Sequence, residues 1–223
     1  MDGTGRRLAI GPTDNTSHQR TPRQPLRLIP AAARESFAPY SRLQPGLGAR
    51  EADMTRLAPD LPRAEGTPIE IAGTVRDENG RPLRSVLIEI WNANSHGRYG
   101  HVEDHSGLKL DPYFLGLGRV LTGDDGSYRF WTIEPGAYLA RPDIDRWRPK
   151  HIHLSLRGGG ARLITQMYFA GDRHNDRDPM RILMGDAFER NVGQEYAPAH
   201  DDVARGFRFD IVVGGRNATM FED

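Results

Sequence analysis

From residue 67 onward the chain is cut into short β-prone runs by Gly, Pro and Asp-Gly turns, which leaves little room for a fold built on long helices. The runs are Pro68–Arg76, Val86–Trp91, Ser127–Ile133, His151–Leu156, Arg162–Phe169 and Gly206–Val213. Turn signals stand at Asp77-Glu78-Asn79-Gly80, at Asp124-Asp125-Gly126 and at Glu134-Pro135-Gly136. This spacing predicts an all-β sandwich or barrel. One helix is predicted near Asp178–Val192, where Met180, Leu183, Met184, Phe188 and Val192 fall at helical spacing. Residues 1–66 are rich in Arg, Pro, Gly and Thr and lack periodicity, so they read as an extended N-terminal arm, with residues 67–223 as the folded domain. The apolar piece Leu26–Pro30 suggests that the arm packs on a partner surface.

With 223 residues and 37% hydrophobic composition, the chain suits one ordinary core plus such an arm. Lys and Arg total 30 and Asp and Glu total 30, so no net field recruits nucleic acid or an anionic membrane. The absence of cysteine excludes disulfides, thiolate metal sites and cysteine nucleophiles. No apolar leader core is visible in residues 1–25, and no run approaches the roughly 20 apolar residues of a membrane span. A cytoplasmic location is the resulting expectation.

The chemistry is concentrated at His151-Ile152-His153. In a strand, side chains two apart share a face, and their Cα atoms stand about 6.6 Å apart. Both imidazoles can therefore reach one metal ion, while Ile152, Leu154 and Leu156 face the core. Two imidazoles do not fix the metal, because zinc, copper, iron and nickel all accept them. Further ligands are open among His96, His101, His105 and many carboxylates. Tyr99, in a Gly-rich turn, and Tyr138, after Pro135-Gly136, read by themselves as half-buried packing residues with wet hydroxyls.

Seven segments then occur in a telling order: Gly73–Pro82, Glu89–Asn94 with Trp91, Gly97-Arg98-Tyr99, Asp111–Phe114, Thr132–Tyr138, Trp147–His153 and Thr165–Phe169. Together they resemble the intradiol ring-cleavage dioxygenases, and within them the iron-bearing β subunits that act on protocatechuate. The likeness runs from about Thr21 to the C-terminus. It implies a prealbumin-like (transthyretin-like) β-sandwich with a short C-terminal helix. It also implies one non-haem Fe(III) per chain, held by Tyr99, Tyr138, His151 and His153. The implied reaction inserts both atoms of dioxygen and opens a catechol ring between its two hydroxylated carbons. Protocatechuate would give 3-carboxy-cis,cis-muconate, in aromatic catabolism. The resemblance makes Tyr138 a base for a substrate hydroxyl and sets Arg148 beside the ring. It assigns Gln166, Arg141 and Trp91 to the substrate pocket. It also implies an oligomer, with a homologous α subunit as one possible partner.

Three stretches depart from the family pattern. Tyr138-Leu139-Ala140 replaces Tyr-Pro-Trp, Pro12–Ser17 lacks a tyrosine, and Asp172–Met180 differs from a Pro-Leu-Ile…Cys-Pro-Ile loop. All three lie outside the four ligands, so they bear on the substrate, for which another substituted catechol or hydroxyquinol is the alternative reading. Two rivals come from other classes. One is a non-catalytic transthyretin-like module. The other is a zinc hydrolase built on His151, His153 and one of His96, His101 or His105.

Overall fold

The computed structural model describes residues 49–101, 104–158, 161–198 and 202–220. Among them the chain forms eleven strands and one short α-helix. The strands are β1 (Pro68–Asp77), β2 (Leu87–Trp91), β3 (Leu117–Leu121), β4 (Ser127–Ile133), β5 (Tyr138–Arg141), β6 (Arg146–Arg148), β7 (His151–Gly158), β8 (Ala161–Phe169), β9 (Val192–Tyr196), β10 (Arg205–Arg208) and β11 (Ile211–Val213); the helix is α1 (Pro179–Met184). The all-β expectation and the short C-terminal helix are both met. Four strands carry weaker sequence signals and were not foreseen: β3, β5, β6 and β9.

Hydrogen bonding links β4 to β1, then runs β1-β10-β9-β8-β7-β2-β3, with β11 also paired to β1. The end strands of that path, β3 and β4, are consecutive in the chain. A tight turn joins them, in which Gly126 N–H donates to Gly123 O at 3.0 Å and Gly123 N–H donates to Ser127 O at 2.9 Å. The sheet therefore curls back on itself and is nearly closed. β5 and β6 form a separate two-stranded sheet.

The run Gly206–Val213, predicted as one strand, is split at Phe209-Asp210. The physical reason lies across the sheet. The Tyr128 hydroxyl donates to Phe209 O at 2.5 Å, and the Asp210 carboxylate accepts from Thr74 N–H at 2.9 Å. A Cβ at Gly73 would stand 1.9 Å from Phe209 O, so only glycine admits this kink. The predicted helix over Asp178–Val192 is shorter than the periodicity suggests. It ends at Gly185, whose φ is +54°, and continues as a 3-10 turn over Gly185–Asn191.

Of the segment read as an arm, residues 1–48 lie outside the described residues, as do Leu26–Pro30 and Pro12–Ser17. In the remainder Met54, Thr55 and Ala64 are buried, and the Met54 N–H donates to Trp131 O at 2.9 Å.

The main core gathers Ile69, Ile71 and Val75 of β1, Ile88 and Ile90 of β2, Phe130 of β4, Ile152, Leu154 and Leu156 of β7, and Phe207 and Phe209. Each such side chain contributes about 1.5–3 kcal/mol on burial. Strand alternation gives the opposite face of β7 to His151, His153 and Ser155, all of them buried as well. That face is covered by a second, smaller cluster, in which Tyr168 of β8 packs against Phe188 and Met184.

Two turns meet back to back beside this face. Asn94, itself buried, accepts on Oδ1 from the N–H groups of His96 (2.9 Å) and Arg98 (3.0 Å). Its carbonyl accepts from Gly97 N–H at 3.0 Å and from Gly136 N–H at 2.9 Å. A Cβ on Gly136 would fall 2.5 Å from Gly97 N and 2.6 Å from Ser95 O, and a Cβ on Gly97 would fall 2.6 Å from Ala137 O. The two glycines thus fix the spacing of the turns that carry Tyr99 and Tyr138. Gly136→Ala should destabilise the chain by about 1–3 kcal/mol through this clash. Gly100→Ala, where an added Cβ meets nothing within 4 Å, should leave the midpoint of urea unfolding unchanged. Equal midpoints for the two variants would remove the glycine contact as a constraint.

Candidate active site

His151 and His153 point from the same face of β7, as the alternation requires, and their Nε2 atoms stand 3.1 Å apart. His151 Nδ1 lies 2.7 Å from Pro149 O. A carbonyl only accepts, so Nδ1 carries the proton and Nε2 keeps its lone pair. Burial, reinforced by the positive Arg148 and by His153, holds the His151 imidazole well below the usual histidine range. It is therefore neutral at pH 7, the form a metal ligand needs. His153 is braced from β2, where its register partner Trp91 stacks on it with centroids 4.8 Å apart and planes 4° from parallel. Trp91 thus supports a ring of the site directly, whatever it contributes to a substrate.

The two tyrosines arrive from the paired turns. The Tyr99 hydroxyl lies 3.4 Å from His151 Nε2, and its backbone N–H donates to Asp104 Oδ2 at 2.8 Å. Tyr138 opens β5. Its ring meets that of Tyr99 edge-on at 5.6 Å and lies 5.8 Å from that of His151. The four residues picked from the sequence are thus drawn together.

The donor set can be tested against a metal without reference to any relative. Two donors about 2.1 Å from one ion and at right angles to each other stand about 3 Å apart, close to the 3.1 and 3.4 Å seen here. Two imidazole nitrogens and two phenols form a hard, partly anionic set, which suits a trivalent cation. Among the described residues no three His, Cys, Asp or Glu side chains converge on one point. Among those residues the zinc-hydrolase reading finds no third ligand, and His96, one of its candidates, bonds Glu65 at 2.9 Å.

Arg148 lies opposite Tyr138 in the β5–β6 pair. Its Nη2 donates to Gln166 Oε1 at 2.5 Å and to Tyr168 Oη at 3.3 Å. Gln166 and Tyr168 are the cross-strand partners of His153 and His151, so one arginine touches both neighbours of the histidine pair. Burial works against the Arg148 charge, but the Asp178 carboxylate and the phenols of Tyr168, Tyr138 and Tyr99 outweigh it and raise its pKa. Arg148 is thus a fixed cation at the site's edge. Arg141 stands at the end of β5 and is bound in two places by Asp143, at 2.9 and 2.7 Å.

Sequence reasoning missed Tyr168, Asp178 and Pro149. Tyr168 follows Gln166 at period two, so one residue flags the other once β8 is recognised. Asp178 carries no such signal, because its part depends on a contact thirty residues away in the chain, whereas Pro149 acts locally, two residues before His151. Among the described residues no helix is long and apolar enough to cross a membrane.

A family model described as "Dioxygenase" matches residues 40–215. The protocatechuate 3,4-dioxygenase beta chain of Burkholderia cepacia is 39% identical over 217 residues, 96% of this chain and 92% of its own. The alpha chain of the same enzyme from Pseudomonas putida is 28% identical over 209 residues, 89% of this chain and 99% of its own. Among solved structures, catechol 1,2-dioxygenase from Acinetobacter sp. ADP1 is similar with a TM-score of 0.55 at 26% identity, covering 72% of this chain and 55% of that one. On this footing the chain belongs to the intradiol ring-cleavage dioxygenases, a family of oxidoreductases.

Proposed function

We propose that this chain is a non-haem iron dioxygenase that opens protocatechuate between its two hydroxylated carbons. The convergence of Tyr99, Tyr138, His151 and His153 carries the reading, and these four residues would hold one ferric ion. The ion would supply a Lewis acid and electron acceptor through which a catecholate becomes reactive toward dioxygen.

The chain's own residues have distinct parts. Neutral His151, oriented by the Pro149 carbonyl, offers Nε2. Trp91 holds the His153 ring and forms one wall of the site. Tyr138 accepts a substrate hydroxyl proton on its phenolate oxygen; such general-base transfer contributes typically about 10²–10⁴-fold. Arg148 stabilises negative charge that develops on the ring, from a largely enclosed and permanently charged position. Gln166, held by Arg148 and Tyr168, lines the same face. We read the curled sheet as the two layers of a prealbumin-like sandwich, residues 67–223 as the catalytic domain and residues 1–66 as its N-terminal arm. A homologous α chain in an oligomer, within the cytoplasm, completes this picture.

A second substrate reading has its own support. The aromatic wall expected after Tyr138 is replaced by Leu139-Ala140, and Arg141, the expected partner for a carboxylate, is already engaged by Asp143. A different substituted catechol, or hydroxyquinol, fits those two observations.

Oxygen uptake with protocatechuate, catechol and hydroxyquinol decides between the two readings. One dioxygen consumed per protocatechuate supports the first, and a preference for an uncarboxylated ring supports the second. No uptake with any catechol by iron-loaded chain would overturn both. The iron-loaded protein should also be wine-red from tyrosinate-to-iron charge transfer, and a colourless sample would remove the tyrosines from the metal. Tyr138→Phe should shift that band and lower kcat by about 10²-fold or more; an unchanged spectrum would exclude Tyr138 as a ligand.

A further inference from the structure

Asp178 is fully buried and is the residue that starts α1. Its Oδ1 accepts from Met180 N–H at 3.1 Å, which caps the helix. Among the described residues its Oδ2 has no hydrogen-bond partner, and neither does Arg148 Nε. These two orphaned atoms face each other at 3.4 Å, and the two side chains are only 0% and 16% exposed. A buried charge persists only when it is paired, so each group accounts for the other. The stretch containing Asp178 is also where this chain departs from the family's usual loop.

The guanidinium is planar, so an anion set beside Nε restrains the plane in which its other nitrogens point. Nη2, next to Nε on the same edge, reaches Gln166 and Tyr168, the cross-strand partners of His153 and His151. Tyr138, across the β5–β6 pair, is the register partner of Arg148. We propose that Asp178 is a positioning residue: its carboxylate holds the Arg148 guanidinium in the plane from which it acts on the substrate ring. The inference rests on the ring-cleavage reading for its catalytic consequence, but not for the contact itself. One residue thus serves as helix cap with one oxygen and as counter-ion with the other.

Asp178→Asn is the informative variant, because the amide oxygen keeps the cap to Met180 while the charge is removed. In the full iron-loaded chain it should leave iron content and the charge-transfer band unchanged and lower kcat roughly 100-fold, as a misplaced catalytic group does. In an Arg148→Gln background the same change should lower kcat no further, since Asp178 acts through Arg148. It should raise stability there, by removing a carboxylate that has lost its cation. A readout independent of turnover comes from the full chain loaded with gallium(III), a diamagnetic trivalent ion. The Arg148 Nε–H signal should exchange slowly with solvent in the wild type and at least about tenfold faster in Asp178→Asn. Wild-type kcat in Asp178→Asn, loss of the iron band, additive effects in the double variant, or equal Nε–H exchange would each overturn the proposal. Should the wild type turn over no catechol, the functional reading fails, and the exchange comparison still decides whether Asp178 grips Arg148.

Discussion

The pleat of β7 is the constraint on which the rest depends. Successive residues point to opposite sides, so the same eight-residue strand sends Ile152, Leu154 and Leu156 into the core and aims His151 and His153 at one point. The core side anchors the strand, and the register to β2 and β8 then sets what surrounds each imidazole. Trp91 comes from one neighbour, and Gln166 and Tyr168 come from the other. A slip of one residue would turn both histidines into the hydrophobic interior. Packing energy gathered far from the site thus fixes its geometry.

The tyrosines depend on a different device. They stand on turns rather than on long strands, and turns are positioned by backbone contacts. Asn94 organises one turn through its side-chain oxygen, and the two are pressed together where Gly97 and Gly136 leave no room for a side chain. Charge is handled in the same economical way. Burial strips water from Arg148 and His151 alike, but an anion lies beside the arginine, while the histidine has a cation beside it. One remains charged and the other neutral, and a metal-binding site needs that division of labour.

Much of this is legible in the sequence alone. The alternation in His151–Leu156 specified which side chains share a face, and Gly-Pro punctuation specified short strands. Motifs in register, rather than the chemistry of single residues, pointed to Tyr99 and Tyr138. Strand β3 alternates in burial, but its exposed positions carry Leu117 and Leu121 and a buried one carries Gly118, so hydrophobicity does not report it, and β6 is only three half-buried residues. The break at Phe209-Asp210 was hidden because its cause, Tyr128, lies 81 residues away. Arg141 shows another limit: a motif position marks it for the substrate, but not for the local ion pair it makes with Asp143. Asp178 was invisible for the same reason as Tyr128, since what matters about it is the partner it meets after folding.

The junction of β3 with β4 through a four-residue turn, which brings the ends of the sheet together, also bears on how such a chain meets others. An open sheet presents rows of unsatisfied N–H and C=O groups that invite strand addition and aggregation. A sheet curled nearly shut offers little of that template. The edges that remain are those of β3, β11 and the small β5–β6 pair, so contacts made through side chains and loops would leave the ladder that orients the histidines untouched.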